Sequence, residues 1–575
     1  MAGLLAALWL LGLFAAAPVL RSRSRDDVVD RLRDALILGI AIPFALALLH
    51  ALYPLACWCA LAICIGLAYR RRPMESDLRD RGAPIPYLLI GSIVAVTWPQ
   101  LMRPLLDGDS LSYHLPNAAS WVQAHSLWTS ATRYWWYPPA SEFFAAGLYA
   151  TGGPFALPWS GFGALALLGL RIWAWAREAY SLPPLLADTL AAATITIYPI
   201  AIQGSTLQND VWLAAFFLES LWVLRTAANA TAVRTLATTA LIKPQGWILA
   251  VLAAAAGRAP RRVWFAAAAA PAIWIVHDAI VWQRSSVEPQ NFLAARAFGT
   301  TIVAHGVPAF VLLARVLASQ SPFASIALLA ALLGPVIARK DPRLGWAGCA
   351  CALLFLFLPF GYATAVAQLA TGASLRFAAP AIAVGTIVLA APLRRAVPLA
   401  TAALLLSTLY GIWYVLAIFW NDGGTHVAIV LAVLVVAIAA LVRSPHVIWL
   451  KAVGFGLGVV VAVHLAARHA LDYYDDALRV GPASPGVYRW IASNEPPAVG
   501  GWGLRLGVVN VLSPSTRTLD LSDTGACLEA RRNGVLLVAV AQPDLEPGQN
   551  ESRLIAAARC GRTLFKDGIG MVTRP

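Results

Sequence analysis

Residues 35–72 read ALILGIAIPFALALLHALYPLACWCALAICIGLAYRRR, and the fold is decided there. The run is apolar to Tyr69, broken near Tyr53-Pro54 and closed by Arg70-Arg71-Arg72. A helix needs about 20 apolar residues to cross the hydrocarbon layer of a bilayer. This run is too long for one such helix, and a proline interrupts helical hydrogen bonding. It therefore predicts a hairpin of two helices. Arg21, Arg23, Arg25, Arg31 and Arg33 stand before it. Lys and Arg gather in cytoplasmic loops, so both ends of the hairpin are expected on the cytoplasmic side.

The rest of the chain repeats this pattern. Of 575 residues 59% are hydrophobic and only 13% charged, whereas a soluble domain carries about twice that charged fraction. Apolar runs recur at 2–20, 84–102, 159–176, 183–202, 211–224, 235–257, 263–282, 302–318, 323–338, 345–363, 378–393, 397–419, 427–442 and 452–467. The reading is an all-α polytopic membrane protein with roughly 14–16 membrane-embedded helices. The net charge of +14 does not point to nucleic acid, because the basic residues sit in short clusters between apolar runs. The 22 Trp suit interfacial belts. Residues 2–20 resemble a signal peptide, with Ala15-Ala16-Ala17, yet no cation precedes the apolar run and several arginines follow it. That order predicts a retained span with its N-terminus outside. Keeping the basic loop Arg339–Arg343 inside requires one of 302–318 and 323–338 to be interfacial. The choice falls on 302–318, which contains His305, Pro308 and Arg315.

From residue 471 acids, Gly and Pro replace the apolar runs. Short β-like runs at 505–512, 516–521, 534–540 and 569–573, with helices at 485–493 and 551–559, predict a small α/β domain outside the membrane. Three regions result: N-terminal helices 1–82, a membrane core 83–470 with a first outer loop 103–158, and the C-terminal domain 471–575. Cys527 and Cys560 are the two cysteines of that domain, and they either pair as a disulfide, if the domain faces an oxidising compartment, or stay as free thiols. Cys57, Cys59, Cys64, Cys349 and Cys351 lie in apolar runs with no ligands to complete a zinc set, and are read as packing residues.

Parity of the spans puts the stretch Leu106-Asp107-Gly108-Asp109-Ser110-Leu111-Ser112-Tyr113-His114-Leu115-Pro116 outside. Two carboxylates, a phenol and an imidazole directly after a span do not help a helix enter lipid, and they look like a reaction centre. In an extended loop Asp107 and Asp109 point the same way, and two close acids raise one pKa and make a better base. The alternative is that they cap a helix beginning near Ser112. His114 either joins them as a metal-binding set or is a hydrogen-bond partner. Residues 117–128 form an amphipathic pattern suited to the membrane interface. The aromatic run Tyr134–Pro139 follows, and 141–150, too short to span, is expected along the surface. Glu142 is then either a site acid or an interfacial one. Asp210, beside Asn209, starts an inward helix, where capping is a sufficient account. Lys243 stands in the break Lys243-Pro244-Gln245-Gly246. A lysine there is costly unless it lines a cavity or snorkels, and phosphate binding is the preferred reading. Arg376 suits a bidentate phosphate contact, or is an ordinary interfacial arginine. Arg133, Tyr134 and Tyr137 are further candidates for sugar or phosphate, and Arg171 is read as snorkelling.

Taken together, Asp-Gly-Asp-Ser-x-x-Tyr-His-Leu-Pro, Trp121, Trp135–Pro139, Glu142, Gln208-Asn209-Asp210, Leu241-Ile242-Lys243-Pro244 and Leu375-Arg376-Phe377 before Pro380 resemble integral membrane glycosyltransferases of the GT-C class. The branch they are similar to contains protein mannosyltransferases and the aminoarabinose transferase of lipid A. The resemblance covers residues 84–470 in layout and departs from the usual pattern of adjacent acids, since Gly108 separates Asp107 from Asp109. It implies a polyprenyl-phosphate-linked sugar donor, a glycan, lipid or protein acceptor, and an active site on the outer face of a bacterial-type plasma membrane. It also implies Asp109 as the base, because Tyr113 follows at the family's spacing, with Asp107 second. Tyr113, His114, Tyr137, Glu142, Asp210, Lys243 and Arg376 are then the substrate-binding set. No organic cofactor is expected, and a divalent metal is an option. The competing reading is a transporter or flippase of a lipid-linked saccharide. Transporters of that kind show paired halves with breaks in matching positions, which this sequence lacks.

Overall fold

The computed structural model describes residues 2–20, 28–71, 85–101, 105, 107–130, 132, 134–227, 229–283, 301–358, 373–419, 485–503, 505–521, 525–541 and 547–575. Arg133 and the runs 427–442 and 452–467 lie outside them.

Three helices come first: α1 (Ala2–Ala16), α2 (Val28–Leu48) and α3 (Pro54–Arg71). The last two are the hairpin read from 35–72, broken where Pro54 starts the second arm. α4 (Tyr87–Leu101) leads into the first loop, which holds α5 (Leu115–Ala124) and α6 (Ala140–Gly152). Then follow α7 (Trp159–Glu178), α8 (Pro184–Ile195), α9 (Tyr198–Ala201), α10 (Asp210–Thr226), α11 (Asn229–Ala240) and α12 (Pro244–Ala256). The set continues with α13 (Arg261–Trp282), α14 (Gly306–Gln320), α15 (Pro322–Leu332), α16 (Gly334–Ile337), α17 (Pro342–Phe357), α18 (Ala379–Leu393) and α19 (Val397–Trp413).

Among the described residues six helices are long and apolar enough to cross a membrane, or seven if the pair Pro184–Ile195 and Tyr198–Ser205, bent by 78°, is one span. Large apolar side chains face outward: Phe265 and Leu399 are each 74% exposed, while Glu219 and Arg171 are at 0%. A water-soluble fold sorts its residues the other way, and the chain is a multi-pass membrane protein.

Four expectations are corrected here. α6 does not lie along a surface. Nearly all its residues are buried, with Phe143 against Phe44 and Trp121, and Phe144 against Trp212. It packs among α1, α2, α3 and α5, with Trp212 of α10 against Phe144. α5 is likewise buried from Leu115 to Trp121 rather than laid on an interface. Val303–Gln320 is one of the span-length helices, whereas the following apolar run is cut at Leu333-Gly334 into α15 and α16. Length therefore favours 302–318, the run expected at the interface, as the spanning one. Arg171 does not snorkel: it bonds Glu219 at 2.6 Å and Asp30 at 2.8 Å. Arg33 bonds Asp34 and Asp30 at 2.9 Å each, so this buried ionic cluster ties α2 to α7 and α10.

The C-terminal domain begins, among the described residues, with α20 (Pro485–Asn494) and continues β1 (Ala498–Trp502), α21 (Leu506–Leu512), β2 (Arg517–Asp520), α22 (Ala526–Asn533), β3 (Leu536–Val540), α23 (Pro547–Cys560), β4 (Arg562–Lys566) and β5 (Gly570–Arg574). The strand order is β2-β1-β3-β5-β4. β1 pairs in parallel with β2 and β3, and β5 runs antiparallel to β3 and β4. Strand β3 is apolar throughout because both faces of it are covered. Residues 505–512, expected as a strand, are the helix α21. Leu506 to Val511 are all buried, and an apolar run of that length shows no period to separate helix from strand. Cys527 and Cys560 form a disulfide joining α22 to the end of α23. The domain sits on the first loop: Gln123 Nε2 donates to the carbonyls of Pro514 at 2.9 Å and Thr516 at 3.2 Å, and the Tyr149 hydroxyl donates to that of Asn510 at 3.3 Å.

Candidate active site

The acidic stretch is helical rather than extended. A turn starts at Gly108 and widens into a π-helical turn, Ser110–His114, where the Leu115 N–H bonds back to the Ser110 carbonyl. Pro116 follows and has no N–H to return to an earlier carbonyl, which favours the widening just before it. Such turns recur at functional sites.

This geometry separates the two acids. Asp107 does the capping: one carboxylate oxygen accepts the Ser110 N–H at 2.8 Å and the Gln208 amide at 3.4 Å. Its other oxygen and Oε1 of Gln208 are buried with no hydrogen-bond partner. Burial pushes the Asp107 carboxyl above its ordinary range; Asp109's charge adds to this, while the bonds from Ser110 and the nearby His114 oppose it. Ser110 completes the anchor by accepting the Leu207 N–H on its hydroxyl at 2.9 Å. Asp109 makes no capping bond and turns instead to Arg376.

From Asp109 a line of alternating charges runs inward. The Arg376 guanidinium pairs with Asp109 and lies 3.5 Å from Asp210. Asp210 pairs on its other oxygen with Lys243. Both cations stand 5.0 Å from the ring of Phe377, an arrangement in which the ring face attracts positive charge. Asp109 is the most open member, with its side chain 35% exposed, and Asp210 is nearly closed off at 4%.

Local chemistry explains each position. Lys243 is extended at the break between α11 and α12, with Pro244 starting the second helix. The Asn209 amide donates to the Ile242 carbonyl at 3.3 Å and steadies that break. At Gly246 a side chain would meet the Thr239 carbonyl at 2.2 Å, so the two helix ends approach closely only because glycine stands there. Neither Asn209 nor Asp210 caps α10; Gln203 takes that role by accepting the Val211 N–H at 2.9 Å. The capping account of Asp210 is therefore replaced by its two cations. Lys243 and Asp210 close the polar end of a narrow cleft of about 20 Å³ whose walls include Leu213, Leu249, Leu354, Phe355 and Pro380.

On the other side of the turn His114 Nδ1 meets Glu142 at 2.6 Å, and Ser141 donates to the second oxygen of Glu142 at 2.8 Å. Both partners are buried, so Glu142 is not an interfacial acid. Tyr113 packs its ring 4.0 Å from His114, 4.4 Å from Tyr134 and 5.8 Å from Tyr137. Burial and the charge of Asp109 hold the Tyr113 phenol well above its usual range, so it stays protonated. Among the described residues no group of three or more His, Cys, Asp or Glu is placed to hold a metal. The imagined set of Asp107, Asp109 and His114 is divided, because the imidazole pairs with Glu142.

The structure thus brings together Asp109, Tyr113, Asp210, Lys243 and Arg376, with Tyr137 beside Tyr113 and the His114–Glu142 pair behind. Gln208, Ser110 and Phe377 stand inside the motifs quoted from the sequence but receive no role there. Phe377, an aromatic directly after a candidate arginine, carries a usable signal for its role; for Ser110 and Gln208 the motifs give membership but no partner.

No protein-family model and no curated protein matches this chain. Among solved structures it is similar to ArnT from Cupriavidus metallidurans bound to undecaprenyl phosphate, with TM-score 0.49 and 15% identity over 84% of this chain and 96% of that one. It is similar in the same degree to ArnT from that organism in the apo state, at 16% identity.

Proposed function

We propose that this chain is a GT-C glycosyltransferase of the cytoplasmic membrane, moving a sugar from a polyprenyl-phosphate-linked donor to an acceptor hydroxyl at the outer face. The observation that carries this is the line Asp109–Arg376–Asp210–Lys243 at the polar end of an apolar cleft. A prenyl chain follows the apolar walls. The phosphodiester anion meets Arg376 and Lys243, whose charge-assisted bonds are the strong kind. In taking Arg376 it releases the Asp109 carboxylate.

The reaction then balances. The acceptor oxygen forms a bond to the anomeric carbon and gives its proton to Asp109. The bond from that carbon to the phosphate oxygen breaks with inversion, and its electron pair stays on the polyprenyl phosphate. Arg376 and Lys243 stabilise the charge that develops there. Tyr113, Tyr134 and Tyr137 offer a wall for a sugar ring, and His114–Glu142 braces the turn that carries the base.

The test uses protein in reconstituted membranes with a panel of radiolabelled polyprenyl-phosphate sugars, for the wild type and Asp109→Asn. Transfer of label by the wild type alone supports the reading. Movement of labelled lipid between leaflets with its sugar intact would put the transporter reading in its place.

A further inference from the structure

We propose that Gly507 of the C-terminal domain is a positioning residue for the candidate base, acting through the backbone of the π-helical turn; this rests on the reading of Asp109 given above. α21 does not merely touch the first loop. At Gly507 a side-chain carbon would lie 2.5 Å from the carbonyl oxygen of Leu111, 2.6 Å from its Cα and 2.9 Å from its carbonyl carbon. All three obstructing atoms are backbone, so no rotamer change relieves them. Leu111 lies between Asp109 and Tyr113, two residues from each. The domain therefore presses a bare stretch of its own main chain onto the main chain that aims both groups.

The contact is braced on both sides. Gln123, at the end of α5, holds the carbonyls that follow α21, and Tyr149 of α6 holds the Asn510 carbonyl within it. α21 itself is buried from Leu506 to Val511, so it cannot retreat without opening the domain. Any side chain at 507 must move the turn by about 1 Å to reach ordinary carbon contact of roughly 3.5 Å. A misplacement of about 1 Å at a catalytic group costs on the order of a hundredfold in rate. Arg376 and Lys243 belong to elements that carry no part of this contact.

The experiment compares wild type, Gly507→Ala, Gln123→Ala and the control Gly548→Ala, whose added carbon would meet nothing within 4 Å. Two quantities are read: amide hydrogen exchange of residues 108–115, and transfer kinetics. The expected result for Gly507→Ala is faster exchange at 108–115 and a kcat reduced about a hundredfold, with donor KM little changed. Gln123→Ala should move in the same direction by less, and Gly548→Ala should match the wild type in both. Unchanged exchange at 108–115 in Gly507→Ala overturns the proposal, as does a loss that falls wholly on KM. If the domain of Gly507→Ala unfolds, seen as fast exchange in β1 and β3, the Gln123→Ala variant decides on the same criteria. A wild type without transfer defeats the functional reading alone, because the exchange comparison still reads the clamp.

Discussion

Replacing Lys243 with Met separates a structural role from a phosphate-binding one. The ammonium of Lys243 and the carboxylate of Asp210 are a buried pair, with side chains 8% and 4% exposed. Removing one member of such a pair costs roughly 3–5 kcal/mol, because the other is left charged in a poor solvent. Here Arg376, 3.5 Å from the second oxygen of Asp210, takes up part of the stranded charge, so Lys243→Met is expected near the low end, about 3 kcal/mol. The double variant Lys243→Met with Asp210→Asn strands nothing and should return to within about 1 kcal/mol of the wild type. Donor binding behaves differently. A charge-assisted bond to phosphate contributes roughly 1.5–3 kcal/mol, which is about 10- to 150-fold in Kd. Both variants should show that loss for polyprenyl phosphate and none for the uncharged polyprenol. Thermal unfolding in detergent reads the first quantity and lipid titration the second. Recovery of phosphate affinity in the double variant would refute the reasoning, since it would reduce Lys243 to a partner for Asp210.

Three more outcomes are expected. Asp109→Asn should abolish transfer, whereas Asp107→Asn should keep part of it, because Asn caps a helix about as well as Asp; parallel turnover assays compare them. The Asp107 carboxyl is raised in the folded chain by burial, so its contribution to the stability of the turn is full below the ordinary carboxylate value and lost as pH rises through the raised one. Exchange at 108–115, corrected for intrinsic rates, should accelerate with pH in the wild type and less so in Asp107→Asn. Cys527→Ser opens a link of sequence separation 33, and the chain-entropy relation gives about 3–4 kcal/mol for that loop. The C-terminal domain should melt earlier in the variant, or on reduction of the wild type, and equal melting would count against the link.

The sequence was most informative where local chemistry decides. The hairpin at 35–72 was legible because Pro54 interrupts an apolar run bounded by arginines, and the bend at Lys243 because Pro and Gly flank a charge inside one. The candidate cations and acids were legible as charges out of place in an apolar chain. Their pairing was not: Asp109 and Arg376 are far apart in sequence, and no periodicity links them. Glu142 shows the limit clearly. Its helix is apolar and short, which fits a surface element as well as a packed one; only packing against α1, α2, α3 and α5 buries it, and the π-helical turn gives it His114. α21 was misread for a related reason, since β-branched residues favour strands until tertiary burial overrides them. Arg171 was read alone and explained by its own length, whereas its partners come from two other helices.

The touch between Gly507 and Leu111 also orders events in time. The ribosome delivers the acidic turn well before α21, so a growing chain can thread the helices between them into the bilayer before that turn is backed. Backing of the turn then waits on the seating of a domain whose own folding includes a cross-link between Cys527 and Cys560. A chain halted before residue 506 would keep its inserted helices but lack the main-chain backing of that turn.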